Sequence, residues 1–149
     1  MATDNQSTAE RGRRLAAQAL QDRGARVTEK RQGNKVFLEV RGSDPSARIL
    51  VRVKTRTGGT WQGSIRDGDP DPAPSRPPVF WVFVDLESAG SPRFFIVPDD
   101  WMRRNIHDAH QAYLRRHGGE RAHSKDSTHH AIEPRRILQW KDRWDLIEL

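Results

Sequence analysis

The stretch "RILVRVKTRTGGTW", Arg48 to Trp61, decides how this chain is read. Side chains alternate between the two faces of a strand, so Ile49, Val51 and Val53 share one face and Arg52 and Lys54 share the other. A strand that buries its first face therefore displays two cations side by side on its second. Two readings of the residues themselves account for that pair: a solvated sheet face or a phosphate-facing cleft. Upstream, "KVFLEVRG" places Val36, Leu38 and Val40 on one face, and the short loop "GSDPSA" joins it to the first strand as an antiparallel hairpin. A symmetric hairpin about that loop sets Glu39 opposite Arg52 and predicts an ion pair between them.

Before these strands, "ARVTEKRQ" alternates weakly and is read as a further strand. It follows an amphipathic helix carrying Leu15, Ala16, Ala19 and Leu20 on one side, with Gly24 as its stop. Ser7 and Glu10 form a capping box, which starts that helix at residue 8 and leaves residues 1–7 as a disordered terminus. Beyond the decisive strand, "RDGDPDPAPSRPP" holds five prolines and three aspartates and is a loop. "VFWVFVDL" and "RFFIVP" are nearly continuous apolar runs, the mark of central strands covered on both faces. The helix "DDWMRRNIHDAHQAYLRRHGG" has acids in its first turn, arginines in its last and Gly118 beyond. The polar stretch "ERAHSKDSTHH" is read as a loop. In the closing segment, Ile137, Trp140, Trp144 and Ile147 stand at helical spacing. The sheet core is expected to contain Val36, Leu38, Val51, Val53, Trp81, Phe83 and Ile96.

The chain has 149 residues, 34% of them hydrophobic, which suits one domain of ordinary size. Cysteine is absent, excluding disulfides, thiolate metal sites and cysteine nucleophiles. No apolar run approaches the roughly 20 residues of a membrane span, and the N-terminal stretch lacks a signal-peptide core, so a cytoplasmic protein without a membrane partner is expected. The net charge is +6, and the basic excess is concentrated before residue 60. Such a surface attracts nucleic acid or an acidic partner by counterion release.

A helix, a three-stranded meander whose last strand carries Val-x-Val-Lys, and then further strands and a helix resemble the restriction-endonuclease-like fold of the PD-(D/E)XK superfamily. "LQDRGARV" resembles the family's leading helix and strand, and "ILVRVKT" its third strand. "FWVFVDL", "FFIVP" and "ILQWKDRWDLI" are similar to trailing elements of small members of that fold. The resemblance spans residues 8–149 and implies a single α/β (α+β) domain with a central mixed sheet of about five strands flanked by helices. It implies a nucleic-acid partner, DNA or RNA, and a site where an acid binds metal while a lysine two residues on positions water. Lys54 holds the lysine position. Arg52 stands where the acid belongs and cannot bind a cation. Glu39 is the acid the second strand offers, so Lys54 and Glu39 are the candidate catalytic residues and Arg52, Lys54, Arg56 and Trp61 the candidate nucleic-acid contacts. No metal set is assigned. Mg²⁺ enters as a cofactor only if Glu39, Glu10 or a migrated carboxylate rebuilds the site, and the expectation is a degenerate nuclease fold. A protein-interaction module with no nucleic-acid partner is the alternative.

Three smaller features carry competing readings. Trp61 interleaves with Arg56 and Arg66, which suits stacking on an unpaired base, whereas tryptophan more often closes a core edge. His107 and His110 share a helix face at a metal-ligand spacing but lack an evident third ligand. His129 and His130 form no recognisable triad.

Overall fold

The computed structural model describes residues 4–87, 90–119 and 127–149, with the side chains of residues 4–6 outside that description. It is an α+β fold. Helix α1 (Asp4–Gln21) leads into strands β1 (Arg26–Gln32), β2 (Lys35–Arg41), β3 (Ile49–Arg56) and β4 (Trp61–Ser64). After a long loop come β5 (Val79–Asp85), β6 (Arg93–Pro98), helix α2 (Asp99–Arg116) and β7 (His129–Ile132). Five strands form one mixed sheet in the order β1-β2-β3-β5-β6, and β4 pairs with β7 in a separate ribbon. All pairings in the large sheet are antiparallel except β3 with β5, which run parallel, so the chain between them must cross back over the sheet.

The two apolar faces follow from strand alternation. Leu38, Val40, Val51, Val82, Val84 and Ile96 point to the side where α1 packs with Ala16 and Leu20, joined there by Trp144 and Ile147. Trp81, Phe83, Phe95 and Val97 point to the other side, against Met102 and Ile106 of α2 and against Trp61, Ile132 and Ile137. Strands β5 and β6 are thus covered on both faces, as their unbroken apolar runs require. Of the expected core, Leu38, Val51, Trp81, Phe83 and Ile96 are buried, while Val36 and Val53 are half-buried.

Asp99 ties α2 to the sheet. Its buried carboxylate sits in the first turn of the helix and accepts hydrogen bonds from Trp81 Nε1 at 2.7 Å and Ser75 Oγ at 3.2 Å. An anion is favoured there because the first turn presents unpaired backbone N–H groups.

Several expectations are corrected. Helix α1 begins at Asp4, so residues 4–7 extend it instead of forming a disordered end, and residues 1–3 lie outside the described part. Residues 120–126 of the polar stretch also lie outside it, but His129 and His130 belong to a strand, not a loop. The closing segment is no helix. It forms short 3₁₀ turns at Pro134–Arg136, Leu138–Trp140 and Trp144–Leu146. The chain there rounds the outer edge of β6, where Lys141 bridges to Phe95, and so sends Ile137 to one sheet face and Trp144 and Ile147 to the other.

Candidate functional site

Helix α2 and the β4–β7 ribbon cover only the β5–β6 half of their sheet face. Among the described residues the β1–β3 half of the same face is left open, and the side chains that alternate onto it include five cations: Lys30 from β1, Lys35 and Arg41 from β2, Arg52 and Lys54 from β3. A cleft of about 390 Å³ sinks into this half-face, walled by Val36, Phe37, Leu50 and Val79 and edged by Lys35, Arg52 and Lys54.

Arg52 is held from two sides. Its guanidinium lies 3.9 Å from the centre of the Trp81 ring, its neighbour on β5. It also makes a two-pronged ion pair with Asp67, with both N···O distances at 3.2 Å. Planar stacking and a bidentate carboxylate suit a guanidinium and not an ammonium. Asp67 comes from a one-turn 3₁₀ helix, Ile65–Asp67, whose start is capped by Ser64 Oγ accepting from Arg66 N. Arg52 is therefore a cation neutralised by an acid from the crossover loop.

Lys54 has no such partner. Among the described residues it takes part in no ion pair or hydrogen bond. Burial pushes its ammonium below the usual lysine range, Arg52 and Lys35 add repulsion, and only Asp67 pulls the other way. An exposed lysine gains little from a partner, but this one is half-buried and uncompensated, so an anion entering the cleft would meet an unneutralised charge.

Glu39 is not opposite Arg52. The hairpin register pairs Glu39 with Leu50 and Leu38 with Val51, two residues away from the symmetric expectation. Glu39 still shares the cationic face, but it bonds to Arg41 at 3.2 Å and Arg48 at 3.3 Å. Burial raises its carboxyl, yet hydrogen bonds from Arg48 and Arg41 outweigh it and hold the group below the usual glutamate range. The expected Glu39–Arg52 ion pair is replaced by Asp67–Arg52, and nothing brings Glu39 to Lys54 as a catalytic couple.

Arg56 and Trp61 lie inside the protein. Trp61 is fully buried, donates from Nε1 to Val84 O at 3.1 Å, and meets Phe83 and Phe95 edge-on. The Arg56 guanidinium stacks 4.8 Å from the Trp61 ring and pairs with Asp85 at 3.2 Å and Glu87 at 3.0 Å. Arg93 completes the network on Asp85. Burial raises the Asp85 carboxyl, but Arg93, the Glu87 backbone N–H and Arg56 together hold it low. The cation and aromatic that in sequence resemble a base-stacking patch stack on each other, and Arg66 is exposed on the 3₁₀ turn.

Asp67 is the residue that sequence reasoning missed. Its signal was present: Ser64 followed by Asp67 has the spacing of a capped turn. A separate groove of about 550 Å³ runs between α2 and β7, lined in part by His110, Tyr113, His129 and Arg136. His107 sits on α2 with its backbone close against Gly68. Among the described residues, no three His, Asp or Glu side chains converge as a metal-ligand group. No helix among them is long and apolar enough to cross a membrane. No family model matches the chain, and no curated protein or solved structure matches it.

Proposed function

We propose that this chain is a nucleic-acid-associated protein of restriction-endonuclease-like fold, catalytically degenerate, which lays a phosphate backbone against the open cationic half of its sheet. The observation that carries this reading is Lys54: half-buried at the edge of a concave cleft, flanked by Lys35 and Arg52, and without a carboxylate of its own. A phosphate supplies the missing counter-charge, and Lys30, Lys35 and Arg41 extend the basic track along β1 and β2, with Arg48 in the loop before β3. The fold reading draws on the order of elements: a helix, an antiparallel meander, and a third strand with Lys54 two residues after Arg52.

The degenerate reading rests on the carboxylates. Asp67 is committed to Arg52 and Glu39 to Arg41 and Arg48, whereas hard divalent metals take oxygen ligands that are free to bind them. The interface differs from the sequence expectation: Arg56 and Trp61 serve the core, and Lys35 takes their place beside Lys54.

The test is fluorescence anisotropy of labelled duplex and single-stranded oligonucleotides at several salt concentrations. Lys54→Ala and Lys35→Ala are expected to weaken binding uniformly across sequences, each flattening the slope of log affinity against log salt by about 0.9 on duplex DNA. Absence of binding at low salt would overturn the reading.

A further inference from the structure

We propose that Lys54 is a nucleophilic amine, and that its cleft takes an aldehyde carried next to a phosphate group, which it captures as an imine. The choice of a phosphorylated ligand rests on the phosphate-facing reading of the cleft, while the nucleophilicity rests on the cleft's own construction. An amine becomes a nucleophile at neutral pH when it is desolvated against apolar walls or set beside other cations, because both penalise the protonated form. Lys54 has both. Val36, Phe37, Leu50 and Val79 wall the cleft, and the charges facing the amine are Arg52 on its own strand, Lys35 on β2 and Asp67 on the 3₁₀ turn. Two of those three are cations, and the single anion is already shared with Arg52. The balance holds the ammonium below the ordinary lysine range. Lys30, Lys35 and Lys141 are exposed to water.

The chemistry is a condensation and needs no oxidant or reductant. The neutral Nζ lone pair attacks the carbonyl carbon, forming a C–N bond as the C=O π electrons move to oxygen. That oxygen, after taking up the two hydrogens lost by Nζ, departs as water and leaves a C=N bond. The phosphate stays on the ligand, beside Lys35 and the outer edge of Arg52. An aldehyde next to a phosphate occurs in two settings, a base-less sugar within a nucleic-acid strand and a free phosphorylated aldehyde, and the cleft recognises what they share.

The experiment treats the full chain near neutral pH with limiting pyridoxal 5′-phosphate, reduces with borohydride and maps the labelled lysine by mass spectrometry. Parallel arms replace the probe with a duplex containing an abasic site and with the intact duplex. Labelling of Lys54 is expected to exceed that of Lys30, Lys35 and Lys141 by on the order of tenfold, with a midpoint at lower pH than theirs. Lys54→Arg, which keeps the charge, should abolish the dominant adduct with the thermal melt unchanged. Labelling that follows exposure, with Lys54 the slowest to react, would overturn the proposal even if the intact duplex binds. Trapping of Lys54 by the small probe alone would support the amine, assign the ligand to free phosphorylated aldehydes and count against the nucleic-acid reading. Trapping by the abasic duplex as well would assign it to nucleic acid.

Discussion

Gly12→Ala tests the placement of the strand that carries Lys54. Gly12 lies in the middle of α1, where alanine is ordinarily better than glycine by about 1 kcal/mol. Here a Cβ would fall 1.7 Å from Thr55 Oγ1 and 2.7 Å from Thr55 Cβ, so helix and strand touch backbone to side chain. Thr55 is next to Lys54 on β3 and points the opposite way, under the helix. Overpacking of this kind costs about 1–3 kcal/mol, and the propensity gain offsets only part of it. The expected net loss is about 1 kcal/mol, or a fall in Tm of about 2–4 °C for a chain of this length. Thr55→Ala removes Oγ1 but not Cβ, so in that background the penalty should shrink without vanishing, with a coupling of about 0.5 kcal/mol or more. Thermal and urea unfolding of the four proteins in the cycle measure it. A rise in Tm on Gly12→Ala, as in a free helix, would refute the packing of α1 on β3.

Trp61→Ala should cost about 3–5 kcal/mol in urea unfolding through the cavity it leaves, and Trp61→Phe should leave the salt dependence of nucleic-acid binding unchanged. Arg56→Ala removes one of two arginines from buried Asp85 and should destabilise by about 2–4 kcal/mol in thermal melts, again without altering the salt slope. Because the Asp85 carboxyl is held below its ordinary value of 3.8, its contribution is present above that pH and is lost as pH falls through the lower folded value, which an acid titration of wild type and Arg93→Ala should resolve. For Lys54 the sign reverses: the unfolded chain binds more protons between the lowered folded value and the ordinary 10.5, so stability should rise with pH across that window, and Lys54→Met should remove the rise. Purified protein with Mg²⁺ or Mn²⁺ should not cleave DNA above background in a gel assay, and cleavage lost in Glu39→Gln or Asp67→Asn would refute the degenerate reading.

The sheet was legible wherever side-chain alternation or continuity was strong. Val51, Arg52, Val53 and Lys54 divide between faces as their spacing requires, and the unbroken runs of β5 and β6 are doubly covered. Register was not legible, because it depends on how the Gly42–Arg48 loop folds, and a shift of two residues keeps every side chain on its face while changing its partner. Strands β4 and β7 have four residues each and depend on pairing with one another across a distant part of the chain. The spacing of Ile137, Trp140, Trp144 and Ile147 imitates a helix because 3₁₀ turns also return a side chain about every third residue. At the site, the shared face of Arg52 and Lys54 was legible from the alternation of their strand. The burial of Arg56 and Trp61 was not, since an arginine stacked on tryptophan inside a core reads in sequence like one stacked on a base.

Asp67→Asn tests the central claim most directly, because it removes negative charge from the cationic half-face and deletes none of its cations. Arg52 loses its carboxylate, Lys54 loses the one neighbour that favours its charge, and no buried apolar contact is removed. If the open half of the sheet holds a phosphate backbone, the anisotropy titration should show tighter binding at low salt. The slope of log affinity against log salt should steepen by about 0.9 as Arg52 gains a phosphate on duplex DNA. Unchanged or weaker binding by a variant that melts normally would contradict the account.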